Sequence, residues 1–378
     1  MGLKRTAAVL AFAAAVSFLG GWVMDVGTAE ARANEETRQA QDNKSTRKKR
    51  QTTRQSVERS RARGVALKPG DCIGVLAPAS WEEKSEWEAG VRLLKKRGYR
   101  VKLAPSCTAA YGFFAGTDER RAADVNQFFH DDEVKAILCL RGGYGSGRLL
   151  DRLDYAMIAC HPKPFIGFSD ITAMHIALGE KSGIATVHGP MLANLASDNL
   201  STYTSEGFFR GIKSSKPLGA LSVPAGMQME AVEPGTAEGI VVGGNLSVLL
   251  SLIGTPYELK GDGALLFLED VDLLSYQLDR ALNQLYQNGL LNRVNGILFG
   301  AFTGGDSELD PGDFTTAEVI EQYARLLGKP VIKDVPAGHV RDNAFLPFGV
   351  HAVMKANADG TASLVFDDAA LLPDKQRK

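Results

Sequence analysis

The chain has 378 residues, of which 44% are apolar and 23% charged, the balance of a soluble globular protein with room for more than one core. Its formal net charge of -1 is unevenly spread: residues 34–64 hold ten Lys/Arg against four Asp/Glu, which leaves the chain from residue 65 onward acidic. An acidic folded part excludes a nucleic-acid footprint there.

Residues 1–33 read as an export signal. Lys4 and Arg5 form a short positive region, residues 7–24 are largely apolar and carry no charge, and Ala29, Ala31 and Ala33 offer cleavage after Ala31 or after Ala33. Left uncleaved, the apolar run is at the lower edge of a membrane-spanning length and would act as an anchor. Residues 34–64 are rich in Gln, Ser, Thr, Lys and Arg and nearly free of large apolar side chains. They cannot bury enough surface to offset their ordering entropy, so they are expected to be a disordered linker. Its charge would also support weak adhesion to anionic lipid or wall polymer.

From residue 70 the pattern alternates strand and helix. Residues 72–76 read as a strand, 84–97 as a helix stopped by Gly98, 100–103 as a strand, 118–130 as a helix and 134–140 as a strand. A Gly-rich turn follows, then a helix from about residue 146, an apolar run at 165–166 and a helix-like stretch at 171–178. Residues 196–238, with Pro217, Pro224 and Pro234, read as an inter-domain linker. Beyond it, runs at 243–254, 265–268, 277–287, 296–299 and 317–327 make a second α/β unit. The fold class is therefore α/β: an N-terminal parallel-sheet domain over 65–195 and a smaller, mixed C-terminal domain over 239–372.

Four loops carry chemistry-bearing residues at strand ends, where ligands collect in open α/β sheets. The sequence RGGYGSGR at 141–148 follows an apolar strand. It departs from G-x-G-x-x-G and from the P-loop pattern, so it reads as an anion-stabilising turn or a purely structural one more readily than as a phosphate loop. In PFIGFSDIT, residues 164–172, a strand runs straight into Ser169 and a helix follows. This is the layout of a nucleophile elbow with the Asp170 N–H free beside it; the competing reading is a helix cap. Adjacent acids Glu269 and Asp270 end a third strand, and Gly338-His339 follows a fourth. A serine needs an imidazole to take its proton, and the imidazole needs a carboxylate to fix its tautomer. Of the six histidines, His130, His161 and His351 lie in polar or turn contexts, His175 shares the helix after Ser169, and His188 reads as a pocket residue. Cys72, Cys107, Cys139 and Cys160 show no C-x-x-C spacing, and H-E-x-x-H is absent, so neither metal nor cofactor is expected.

Eight segments resemble the LD-carboxypeptidases, serine peptidases that include murein tetrapeptide carboxypeptidases and microcin-immunity peptidases. They are IGVLAPAS (73–80), LRGGYG (140–145), IGFSD (166–170), HGPM (188–191), GGNL (243–246), GTP (254–256), FLEDV (267–271) and GH (338–339), in the family's order. The resemblance implies a triad of Ser169, Glu269 and His339, choosing Glu269 over Asp270, and an oxyanion hole from the Gly142–Gly143 backbone and Asp170. It implies hydrolysis of the L,D bond before a terminal D-alanine of peptidoglycan stem peptides, and a homodimer. Arg141 stands beside the expected oxyanion loop, either to bind the substrate's terminal carboxylate or to pair with an acid of the fold. Export places the expected substrate outside the cytoplasm. The alternatives are a peptidase acting on a microcin-like peptide-nucleotide antibiotic and a catalytically silent wall-peptide-binding protein.

Overall fold

The computed structural model describes residues 60–374. The expected export signal and most of the basic segment lie outside the described residues. Residues 60–64, expected to be disordered, are instead held against the fold. The Arg61 and Ala62 N–H groups donate to the Gly349 and Gly183 carbonyls at 2.8 and 2.9 Å. Arg61 also pairs with Glu180 at 2.8 Å, and Arg63 with Asp368. Two largely buried arginines with fixed acidic partners give this stretch the ordering that its composition alone does not.

The strands are β1 (Cys72–Leu76), β2 (Arg100–Leu103), β3 (Val134–Cys139), β4 (Phe165–Gly167) and β5 (Thr186–His188) in the first half. They continue with β6 (Pro217–Ala220), β7 (Glu230–Glu233), β8 (Gly235–Asn245), β9 (Leu265–Val271), β10 (Gly296–Thr303), β11 (Val331–Lys333), β12 (Leu346–Phe348), β13 (His351–Ala356) and β14 (Ala362–Ala369). One sheet runs β12-β5-β4-β3-β1-β2 and the other β6-β14-β13-β8-β9-β10-β11-β7. In the first, β5, β4, β3, β1 and β2 are parallel, as the strand–helix alternation predicts. The exception is β12, which comes from the C-terminal half and pairs antiparallel with β5, Leu346 opposite His188. In the second, β8 to β11 are parallel and β13, β14, β6 and β7 are antiparallel around them.

The predicted helices appear as α1 (Lys84–Lys96), α2 (Asp118–His130), α3 (Thr172–Ala177), α4 (Ser275–Asn288) and α5 (Thr316–Leu327). The helix expected from residue 146 is a 3₁₀ stretch, Ser146–Arg152. One continuous core joins Phe128, Phe165 and Met174 from around the first sheet with Leu246, Leu266, Leu282 and Ile297 from around the second. Residues 196–238 are correspondingly more than a linker: they hold the helix Thr202–Gly211, β6, β7 and the start of β8.

Candidate active site

The apolar strand β4 is buried along its length and ends at the carboxyl edge of the first sheet. Phe168 is still extended, but Ser169 turns abruptly to φ +63°, and α3 begins three residues later. A left-handed backbone at a non-glycine residue costs on the order of 1 kcal/mol, and here it throws the serine side chain out of the sheet. The Gly-rich turn packs directly against it. A methyl group at Gly142 would sit 3.1 Å from Ser169 Oγ, and one at Gly143, whose φ is +106°, would sit 2.4 Å from Ser80 Oγ. Ser80 Oγ in turn accepts from the Tyr144 N–H at 3.1 Å.

His339 Nε2 lies 3.0 Å from Ser169 Oγ, and His339 Nδ1 lies 2.8 Å from Glu269 Oε2. Three residues from distant parts of the chain thus form one hydrogen-bonded line. Glu269 is fully buried and His339 is 21% exposed, so the line runs from the interior to the protein surface. Burial pushes the Glu269 carboxyl up from its ordinary value, while the hydrogen bond to His339 pulls against it. For His339, burial works against the cation, but the Glu269 hydrogen bond and charge outweigh it and hold the imidazole pKa above its ordinary value. An imidazole so placed, with one nitrogen fixed by a carboxylate, is oriented to take a proton from the serine.

The loop carrying His339 is pinned from several sides. Gly338 has φ +120°, and a methyl group there would lie 2.7 Å from Glu269 Oε2, so only glycine lets the carboxylate reach the ring. The Gly338 N–H donates to Asn343 Oδ1 at 3.1 Å, and the Asn343 N–H donates to Thr204 Oγ1 at 2.8 Å. The Phe168 ring packs 5.0 Å from the His339 ring, between it and His188.

Asp270, one residue from Glu269, is turned away from this line. It accepts from Asn245 Nδ2, the Ser247 N–H and Ser247 Oγ at 2.7–2.9 Å, fastening β9 to the helix after β8. Asp170 Oδ2 accepts from the Ser146 N–H at 2.8 Å, and Ser146 Oγ donates to the Asp170 carbonyl at 2.6 Å, which locks the Gly-rich turn to the serine turn. Arg141 is ion-paired with Glu82. Of the other histidines, His175 donates from Nε2 to the Gly167 carbonyl, His188 is fully buried among Phe168, Phe267 and Phe348, and His351 pairs with Asp367. Among the described residues no group of His, Cys, Asp and Glu is placed to hold a metal ion. Thr204 and Asn343 gave no signal in the sequence; only the GGNL segment flags Asn245.

The sequence matches an LD-carboxypeptidase N-terminal domain over residues 73–189 and an LD-carboxypeptidase C-terminal domain over residues 238–354. It is 37% identical over 298 residues to a Bacillus subtilis (strain 168) protein named "Probable murein peptide carboxypeptidase", covering 79% of this chain and 92% of that one. A murein tetrapeptide carboxypeptidase of Pseudomonas aeruginosa is 32% identical over 289 residues, 75% of this chain and 93% of its own. The solved muramoyltetrapeptide carboxypeptidase of Oxalobacter formigenes superposes with a TM-score of 0.70 at 28% identity, covering 80% of this chain and all of that one.

Proposed function

The chain belongs to the LD-carboxypeptidase family, and on that footing we propose that it releases the terminal D-alanine from peptidoglycan-derived tetrapeptides through Ser169, His339 and Glu269. The observation that carries this is the line of two hydrogen bonds, 3.0 and 2.8 Å, that joins the three side chains at the strained turn after β4. Ser169 Oγ attacks the carbonyl carbon of the L-configured centre that precedes D-alanine, and His339 Nε2 takes the hydroxyl proton. Negative charge collects on the former carbonyl oxygen, facing the backbone N–H groups of Gly143 and Asp170. The C–N bond then breaks as His339 returns its proton to the departing amine, leaving the shortened peptide as an ester on Ser169. Water, deprotonated by the same imidazole, hydrolyses that ester and restores the serine.

An exopeptidase must also hold the free terminal carboxylate. Arg141, next to the turn, is the cation placed for it; its side chain is 36% exposed and would exchange Glu82 for the substrate carboxylate. The same triad would cut a peptide-nucleotide conjugate, but relatives named for murein peptides, at 32 and 37% identity, favour a stem peptide. Residues 1–33 support export to the periplasm, with a mature chain beginning at Arg32 or Asn34, or tethering if uncleaved. The basic residues beyond them support weak surface adhesion, and the resemblance supports a homodimer. N-terminal sequencing of the native protein checks the first of these.

The test is covalent trapping. A serine-directed acylating reagent should add one mass equivalent mapped to the peptide containing Ser169, and Ser169→Ala should lose both the adduct and turnover by several orders of magnitude while staying folded. Labelling elsewhere, or a tenth of normal turnover in Ser169→Ala, would overturn the assignment.

A further inference from the structure

Beside the Gly-rich turn lies a group of aromatic rings that the triad does not use. Tyr111, Phe113 and Tyr144 are 63, 59 and 57% exposed, and Trp81 beside them is 37% exposed. The Phe113 ring packs 4.3 Å from Phe114 and 5.7 Å from Tyr144, centroid to centroid. The base under them is rigid. Phe114 is buried, with the Arg121 and Arg148 guanidinium groups over its ring at 4.7 and 5.0 Å. Tyr111 and Phe114 exchange backbone hydrogen bonds at 2.9 and 3.0 Å, and Trp81 Nε1 donates to the Gly112 carbonyl at 3.0 Å. Fully buried Arg121 donates to the Gly145 carbonyl at 2.9 Å, tying this base to the turn beside Ser169. Clustered exposed rings on a fixed base mark an interaction surface, and the base needs little ordering to bind.

Its position narrows the ligand. Tyr144 follows Gly143 directly, and Gly142 touches Ser169. From Gly142 to Tyr144 the backbone spans at most about 7.6 Å, and Phe113 lies one ring beyond. Three residues of extended peptide cover about 10 Å, so a stem peptide with its third residue at Ser169 is long enough to bring its amino end to the rings. That end of a murein peptide carries a sugar. We propose that Tyr111, Phe113 and Tyr144 form a subsite for this saccharide, an inference that rests on the murein-peptide reading above. A pyranose offers a flat C–H face to Phe113 and Tyr144, and its hydroxyl and acetamido rim meets the phenol groups of Tyr111 and Tyr144. A second copy of the chain is the poorer occupant: four part-exposed rings offer roughly 500 Å², below the ~800 Å² that each partner of a stable interface buries.

The test compares two substrates on the full chain, the free tetrapeptide and the same peptide bearing an N-acetylmuramyl sugar. For the wild type, KM should be at least about fivefold lower with the sugar. Phe113→Ala should erase that preference, raising KM for the sugar-bearing peptide while shifting KM for the free peptide less than twofold; Phe113→Tyr should keep it. Equal KM values in the wild type, or equal losses on both substrates in Phe113→Ala, overturn the subsite. So does conversion of a dimer to monomer by Phe113→Ala in sedimentation, which assigns the rings to a second copy. If the wild type hydrolyses neither peptide, the carboxypeptidase reading fails instead. Calorimetry with the sugar-bearing peptide then decides the subsite separately: binding that Phe113→Ala weakens supports it, and binding that the variant leaves unchanged, or none, overturns it.

Discussion

Glu269 and Asp270 are neighbours on β9, and successive strand residues point to opposite sides. Register therefore gives one carboxylate to His339 and the other to Asn245 and Ser247. This separation has opposite consequences for substitution. Glu269→Gln keeps the shape but loses the charge that stabilises the imidazolium, so kcat should fall by about 10³-fold or more with little change in melting temperature. Asp270→Ala strips several charge-assisted hydrogen bonds from a buried junction, and urea unfolding should show a loss of about 3 kcal/mol. The same pair sets the pH dependence. His339 must be neutral to act as a base, and Glu269 holds its pKa above the ordinary value. The acid limb of kcat/KM should then lie above about 6.5, activity falling as pH drops through it. In Glu269→Gln burial is opposed only by the smaller pull of the Asp270 and Asp272 charges, so the limb should move to lower pH; an unmoved limb would assign it to another group.

At the scale of elements, the sequence exposed the strands better than the closures between them. β1, β3, β4 and the first four residues of β9 are largely apolar because they are buried on both faces, and such runs are readable without neighbours. Ser169 was legible for the same reason, as a polar residue at the end of one of them. The choice of Glu269 needed the family resemblance, since alternation alone names no partner. β12 was not legible: three residues, one a proline, pair across 158 positions with β5. Nor was the brace of Gly338, Asn343 and Thr204, whose partners are up to 139 residues apart and whose residue types are ordinary in loops. That brace sets where His339 points. Asn343→Ala should lower kcat about 10- to 100-fold, leave KM within a few-fold, and leave the acid limb of the pH profile in place, since the Glu269 contact is kept. Steady-state kinetics across pH distinguishes this from a change at Glu269.

For the molecule as a whole, the described chain enters beside Gly183 and Gly349, near the start of β5 and the end of its antiparallel partner β12. The serine turn lies at the other end of the parallel strands. Removing residues 1–59 should therefore leave kcat and melting temperature unchanged. Removing 1–66 should lower the melting temperature by several degrees, because it deletes the Arg61–Glu180 and Arg63–Asp368 pairs and the Ala62 and Gly64 backbone bonds that hold residues 185 and 372. Composition could not reveal this boundary, since Arg61 and Arg63 look like further members of the basic run until Glu180 and Asp368 are placed beside them. The central claim is the identity of the bond. Mass spectrometry of defined murein tetrapeptide and pentapeptide, each incubated with the purified chain, reads it directly. Rapid loss of one D-alanine from the tetrapeptide, with the pentapeptide nearly untouched, is the result expected from a serine site that cuts one residue from the carboxyl end at an L,D bond. Faster release of D-alanine from the pentapeptide would contradict it and assign the triad to a D,D bond instead.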